Sequence, residues 1–208
     1  MTELGHERFA VIAHDTGTVI AYALAADNPE RVDRLVVAEI PGAPGTSPAP
    51  PLFVPEPLNN KLWHIPFNRA GAIAEQLIVG REDIFFGYEF EIQGGPALDP
   101  EVIAYYVAHF TTPESLRGGL GFYRAWDAHL AQNAERVSTK LTMPVLGIGG
   151  AQSWGDHVGG GWGATADNVE TAVIPGAGHW VAEQAPDEVL AVLTAFLASY
   201  RAPAFATA

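Results

Sequence analysis

The sequence contains no cysteine. That removes disulfides, thiolate nucleophiles and thiolate-held metals from consideration. Basic residues are scarce: 11 Lys and Arg stand against 24 Asp and Glu, a formal net charge of −13. So acidic a chain is a poor partner for nucleic acid or for an anionic membrane surface. No apolar run approaches the about 20 residues of a membrane span. The opening residues, MTELGHERF, lack the basic and apolar parts of a secretory signal, so a cytoplasmic location is expected. The seven histidines are scattered, with no HExxH pair, and no GxxxxGK(S/T) phosphate loop occurs. No metal and no cofactor are therefore expected. What remains is 208 residues, 48% of them hydrophobic, enough for a sizeable core.

Four short apolar runs read as strands: Phe9–Ala13, Val32–Ala38, Val145–Ile148 and Val169–Ile174. Residues 1–8 read as the tail of a helix capped by Gly5. A helix follows the first strand and ends near Asn28-Pro29; another runs from about Pro186 to Tyr200, before a frayed tail, APAFATA. The proline-rich stretch 43–58 reads as a linker. From Leu62 to about Trp126 the pattern is helical, with start signals at Asp99-Pro100-Glu101 and Thr112-Pro113-Glu114. The run Gly159-Gly160-Gly161 reads as a flexible loop. Strands alternating with helices imply an α/β fold with a mostly parallel sheet, whose ligands sit at the carboxyl ends of the strands.

The stretch Phe9–Thr18 organises the chain: a strand, a sharp turn with Asp15 at its tip, and a helix that begins with small residues. Small-x-acid-x-Gly is the nucleophile-elbow pattern of the α/β-hydrolase fold, with Asp in the place of Ser. An ordinary helix N-cap is the competing reading of Asp15. His179 follows the last strand in a Gly-rich loop, which fits the chain order nucleophile, acid, His. A carboxylate that attacks carbon becomes an ester, and a His general base activates the water that cleaves it. The His needs an acid to fix its tautomer. Glu39 and Asp156 are both placed for this; Glu39 is preferred because it directly follows its strand.

The segments FAVIAHDTGTVIAYALAADNPERVDRLVVAEIPGAP, WHIPFN, GLGFYRAW and VIPGAGHW together resemble the epoxide hydrolase and haloacid dehalogenase branch of the α/β hydrolases. The resemblance runs from about residue 3 to 200. It implies core segments at 1–45 and 139–208 around a helical cap at 46–138. It also implies Asp15 as nucleophile, His179 as base and Glu39 as acid. Tyr123 matches a cap tyrosine that assists the opening epoxide oxygen, and His64 matches a histidine of the fluoroacetate enzymes' halide pocket. Buried core roles are the alternatives for both. Thr16 and Trp180 are further candidates for contact with substrate.

Two departures bear on chemistry. Fluoroacetate dehalogenases carry Arg after the nucleophile, where this chain has Thr16; they carry Trp where it has Ile65. Both changes favour epoxide opening over dehalogenation of small halo-acids or haloalkanes, with a small apolar molecule as substrate. The family's sheet also has four strands and a His-Gly-x-Pro loop ahead of the elbow strand. The chain is therefore expected to be an N-terminally truncated member, with an apolar sheet edge open to a second copy or a complementing chain. An inactive binding module is the third reading.

Overall fold

The computed structural model describes residues 1–46 and 51–200. The expected frayed tail and the middle of the proline-rich stretch lie outside the described residues. Four parallel strands, β1 (Phe9–His14), β2 (Val32–Ala38), β3 (Val145–Gly150) and β4 (Val169–Ile174), form one sheet in the order β1-β2-β3-β4. β2 and β3 are nearly continuous apolar runs because both their faces are covered. Leu35, Val36, Val37, Val145 and Ile148 are all buried.

α1 (Thr16–Asp27) crosses from β1 to β2. Between β2 and β3 the described residues form seven helices: α2 (Glu56–Leu62), α3 (His64–Asn68), α4 (Ala72–Ile78), α5 (Glu82–Ile92), α6 (Pro100–Ala108), α7 (Pro113–Arg124) and α8 (Trp126–Arg136). α9 (His157–Trp162) follows β3, while α10 (Val181–Gln184) and α11 (Pro186–Leu197) follow β4. Apolar side chains of α1 and α9, among them Tyr22, Val158 and Trp162, cover one face of the sheet. Val181, Val189 and Phe196 of α10 and α11 cover the other. The helical insertion has a core of its own around Ala74, Ile78, Leu116 and Leu120.

The expected start signals operate as read. Asp99 accepts from Glu101 N at 2.8 Å, and Thr112 forms a capping box with Ser115. Gly5 has φ 77° and closes the short N-terminal 3₁₀ turn. Three sequence expectations need correcting. The helical stretch is broken into short pieces, turned at Gly80 (φ 74°) and at Gly94 and Gly95 (both φ 82°), and it continues beyond Trp126 to Arg136. The linker ends in helix α2, entered through Pro55. The glycine run is not a flexible loop: Gly159, Gly160 and Gly161 belong to α9. Packing overrides their poor propensity, because a Cβ on Gly159 would lie 2.0 Å from Thr171 Oγ1 and one on Gly147 would lie 2.6 Å from Gly159 Cα. The helix lies against β3 and β4 only because these contacts lack side chains.

β1 has β2 as its sheet neighbour, and no described strand pairs with its other edge. Ile12, within that strand, is 55% exposed.

Candidate active site

The turn after β1 holds Asp15 at φ 48°, and the turn after β2 holds Glu39 at φ 62°; these are the positive-φ non-glycine residues among those described. Such angles are costly for residues with a Cβ and persist where surrounding structure imposes them. Here the imposed contacts are visible. Asp15 N donates to Ala38 O at 3.1 Å, and Glu39 N donates to Ile148 O at 3.0 Å, so both tips continue the sheet's bonding ladder. Each side chain is thereby turned out at the carboxyl end of the sheet.

His179 lies between them. Its Nε2 is 3.3 Å from Asp15 Oδ2 and its Nδ1 is 3.1 Å from Glu39 Oε2. Glu39 is fully buried, and its other oxygen accepts from Gly150 N at 2.6 Å. Asp15 Oδ1 accepts from Thr16 N at 2.6 Å, at the first turn of α1. Burial opposes the charge of His179, but its hydrogen bonds to Asp15 and Glu39 outweigh that and lift it to about 9. Burial likewise pushes the Asp15 carboxyl up, and the bond to His179 overcomes this, holding it at about 2. At neutral pH the pair is carboxylate and imidazolium.

A cavity opens over Asp15. It is lined by Thr16, Val19, Ile20 and Ile40 from the core and by His64, Ile65, Phe122, Tyr123, Trp126 and His129 from the insertion. Among the described residues no Lys or Arg lines it. Tyr123 and His64 meet edge to face, ring centroids 5.7 Å apart. Burial, with the charges of Asp15 and Glu89, pushes the Tyr123 phenol up, so it keeps its proton. Burial pushes His64 down to about 4.

The structure thus brings Asp15, Thr16, Glu39, His64, Tyr123 and His179 to one place. Asp156 is elsewhere, exposed at the start of α9, while the Nδ1 it would serve is taken by Glu39. Trp180 does not line the cavity. Its indole N–H donates to Phe90 O at 3.2 Å and its ring packs on Phe90 and behind His179.

Two residues were not singled out from sequence. His14 Nε2 is 2.8 Å from the His179 carbonyl, so the residue before the elbow props the histidine loop. Glu89 is buried beside His64, with His64 Nδ1 3.2 Å from its Oε2. The available signal was a carboxylate set among Phe85, Phe86, Tyr88 and Phe90.

The loop carrying His179 is also tied to the end of α5. His179 N donates to Gln93 O at 3.2 Å, and Gln184 Nε2 donates to Gly94 O at 3.0 Å and Pro96 O at 2.8 Å. The backbones run so close that a Cβ on Gly178 would lie 1.9 Å from Gly94 O.

The profile of the alpha/beta hydrolase fold family matches residues 1–186. The chain belongs to that family. It is 29% identical over 206 residues to the soluble epoxide hydrolase of a Corynebacterium species, covering 97% of this chain and 71% of the relative. It is 25% identical over 211 residues to a fluoroacetate dehalogenase from a Burkholderia species, covering 97% of this chain and 67% of the relative. Among solved structures, Cfl2 from Burkholderia cenocepacia superimposes with a TM-score of 0.87 at 31% identity, over 94% of this chain and 67% of that one. The chain thus spans about two thirds of the length of these proteins. No helix among the described residues is long and apolar enough to cross a membrane, and none of their His, Asp and Glu side chains cluster as a metal site.

Proposed function

We propose that this hydrolase-family chain opens epoxides to diols through an ester on Asp15. The observation that carries the reading is the line Asp15–His179–Glu39, at 3.3 and 3.1 Å, beside two proton donors in a cavity that no Lys or Arg among the described residues lines. In the first step an Asp15 oxygen attacks an epoxide carbon and the carbon–oxygen bond of the ring breaks. The departing oxygen takes a proton or a hydrogen bond from Tyr123, with His64 beside it. Once the ester has removed the charge of Asp15, His179 gives up its proton to solvent, and in the second step the neutral ring takes a proton from water, which attacks the carbonyl carbon of the ester. Thr16 N–H stabilises the resulting oxyanion, a kind of contact worth roughly 2.7–4 kcal/mol. Collapse restores the carboxylate and releases a diol that keeps one Asp15 oxygen. Glu39 holds the His179 tautomer throughout.

The absence of Lys and Arg from the cavity lining favours an uncharged substrate over a halo-acid, whose carboxylate lacks a partner there. Dehalogenation is the second reading, supported by the likeness to a fluoroacetate dehalogenase, and the same Asp15 and His179 serve it. A single turnover of an aryl epoxide with excess enzyme in ¹⁸O-labelled water tests the proposal. Label is expected in the Asp15 carboxylate rather than in the first diol formed. Label in that diol alone rules out the ester. Halide released from a chlorinated or fluorinated substrate, with no diol from epoxides, selects the second reading.

A further inference from the structure

The mechanism above uses His64 but leaves its neighbour Glu89 without a part. Glu89 projects from α5 towards α3, and both side chains are almost wholly buried, 12% and 13% exposed. His64 Nδ1 stands 3.2 Å from Glu89 Oε2. Even so, Nδ1 and Glu89 Oε1 are both buried without a hydrogen-bond partner. Glu89 Oε2 accepts instead from Gln93 Nε2 at 3.2 Å. A proton placed between Nδ1 and Oε2 gives the buried ring nitrogen the partner it lacks. With Nδ1 committed to Glu89, Nε2 is the ring nitrogen left to the cavity that His64 lines.

We infer that Glu89 is a positioning residue for His64, and that the proton held between them sets which ring nitrogen of His64 carries hydrogen into the cavity. When Glu89 is a carboxylic acid it donates to Nδ1, and neutral His64 carries its hydrogen on Nε2, as a donor towards the substrate oxygen. When that proton is lost to solvent, the carboxylate draws the remaining ring hydrogen to Nδ1. Nε2 is then bare, and the donor becomes an acceptor. The environment favours the acid form near neutrality. Burial raises Glu89 to about 7, with the anionic Asp15 adding to the rise and Gln93 and protonated His179 opposing it. Tyr123 of α7 faces the same cavity and stays protonated. The Lys61 ammonium is directed to Ser153 Oγ at 3.3 Å, and its backbone carbonyl accepts from Gln93.

The consequence for catalysis rests on the epoxide reading; the proton switch itself does not, and the two are separated by the test. ¹⁵N-histidine-labelled protein is titrated between about pH 5 and 9, and the tautomer of His64 is read from its two ring-nitrogen shifts. The expected result is hydrogen on Nε2 below about pH 7 and on Nδ1 above it. In Glu89→Gln no proton is left to titrate at this contact, so one tautomer of His64 is expected throughout the range. A single tautomer across the range in the unaltered protein overturns the inference, as does an unaltered switch in Glu89→Gln. The unaltered protein alone decides the matter if that variant does not fold. In parallel, ester formation on Asp15 is expected to slow roughly tenfold per pH unit above about 7, and to lose this limb in Glu89→Gln. A tautomer switch in a protein that forms no ester refutes the epoxide reading and upholds the pairing. Ester formation without a switch does the reverse.

Discussion

At rest, His179 keeps its proton because two carboxylates hold it, and Asp15 keeps its charge because His179 is there. Alkylation of Asp15 removes one of those carboxylates. On the proposed assignment His179 then loses proton affinity and becomes a base when a base is needed. His179→Gln is expected to stop the cycle at that point. One equivalent of ester accumulates on Asp15, seen as a mass increase of the intact protein, while diol release slows about 10²–10⁴-fold. Absence of the adduct refutes the two-step assignment. The pair also gives stability a pH signature. His179 titrates at about 9 in the folded protein against 6.5 ordinarily, so folding tightens its hold on the proton. The stabilisation is complete below pH 6.5 and is lost as pH rises through about 9. Asp15 is held at about 2 against 3.8; its contribution is present above 3.8 and lost as pH falls through about 2. Both describe one ion pair, counted once. Unfolding by urea is expected to become easier between about pH 7 and 10, and less steeply so in Asp15→Ala. Asp15 and His179 could be placed from sequence because turn chemistry and chain order constrain them, whereas Glu39 and Asp156 both fit that order and the contact with His179 Nδ1 separates them. Glu89 could not, because its meaning comes from the fold that sets α5 against α3.

The short elements divide by how much of their reason is local. β2 and β4 follow from runs of β-branched residues bounded by turns, and their limits match the expected ones. The insertion is legible as helical mass but not as separate short pieces, since several of its breaks fall at left-handed glycines whose place within an apolar pattern carries no fixed spacing, and those at Trp63 and Ala125 fall at residues with helical angles. α9 was illegible because three consecutive glycines argue against a helix unless something must pass very close. That contrast is open to measurement. Gly159→Ala inserts a Cβ 2.0 Å from Thr171 Oγ1, and a loss of about 1–3 kcal/mol is expected from overpacking. Gly160→Ala, with nothing within 4 Å, is expected to stabilise the same helix by roughly 0.4–1 kcal/mol. Thermal melts of the two variants should therefore move in opposite directions. Movement of both downward would mean that α9 is not held as a helix against the sheet.

For the whole molecule, β1 is one of the two edge strands of the described sheet, β4 being the other. An apolar strand edge of this kind pairs readily with other chains, and a lysine on such a strand discourages it. Sedimentation velocity is expected to show concentration-dependent association of the unaltered chain, reduced in Ile12→Lys, whose site is 55% exposed. Equal behaviour of the two would show that this strand recruits nothing. The insertion, for its part, sets Tyr123 and His64 along the cavity over Asp15, and its Gln93, Gly94 and Pro96 carbonyls accept from His179 N and the Gln184 side chain. These bonds restrict the routes open to a substrate. A hinge that lifted the end of α5 would pull the base out of line with Asp15, so the molecule has no cheap way to open on that side. Ile20 and Phe122 also line the cavity and are 45% and 49% exposed. Neither residue belongs to the line Asp15–His179–Glu39, and bulk added at either is expected to change how large a guest is admitted rather than how fast an admitted one reacts.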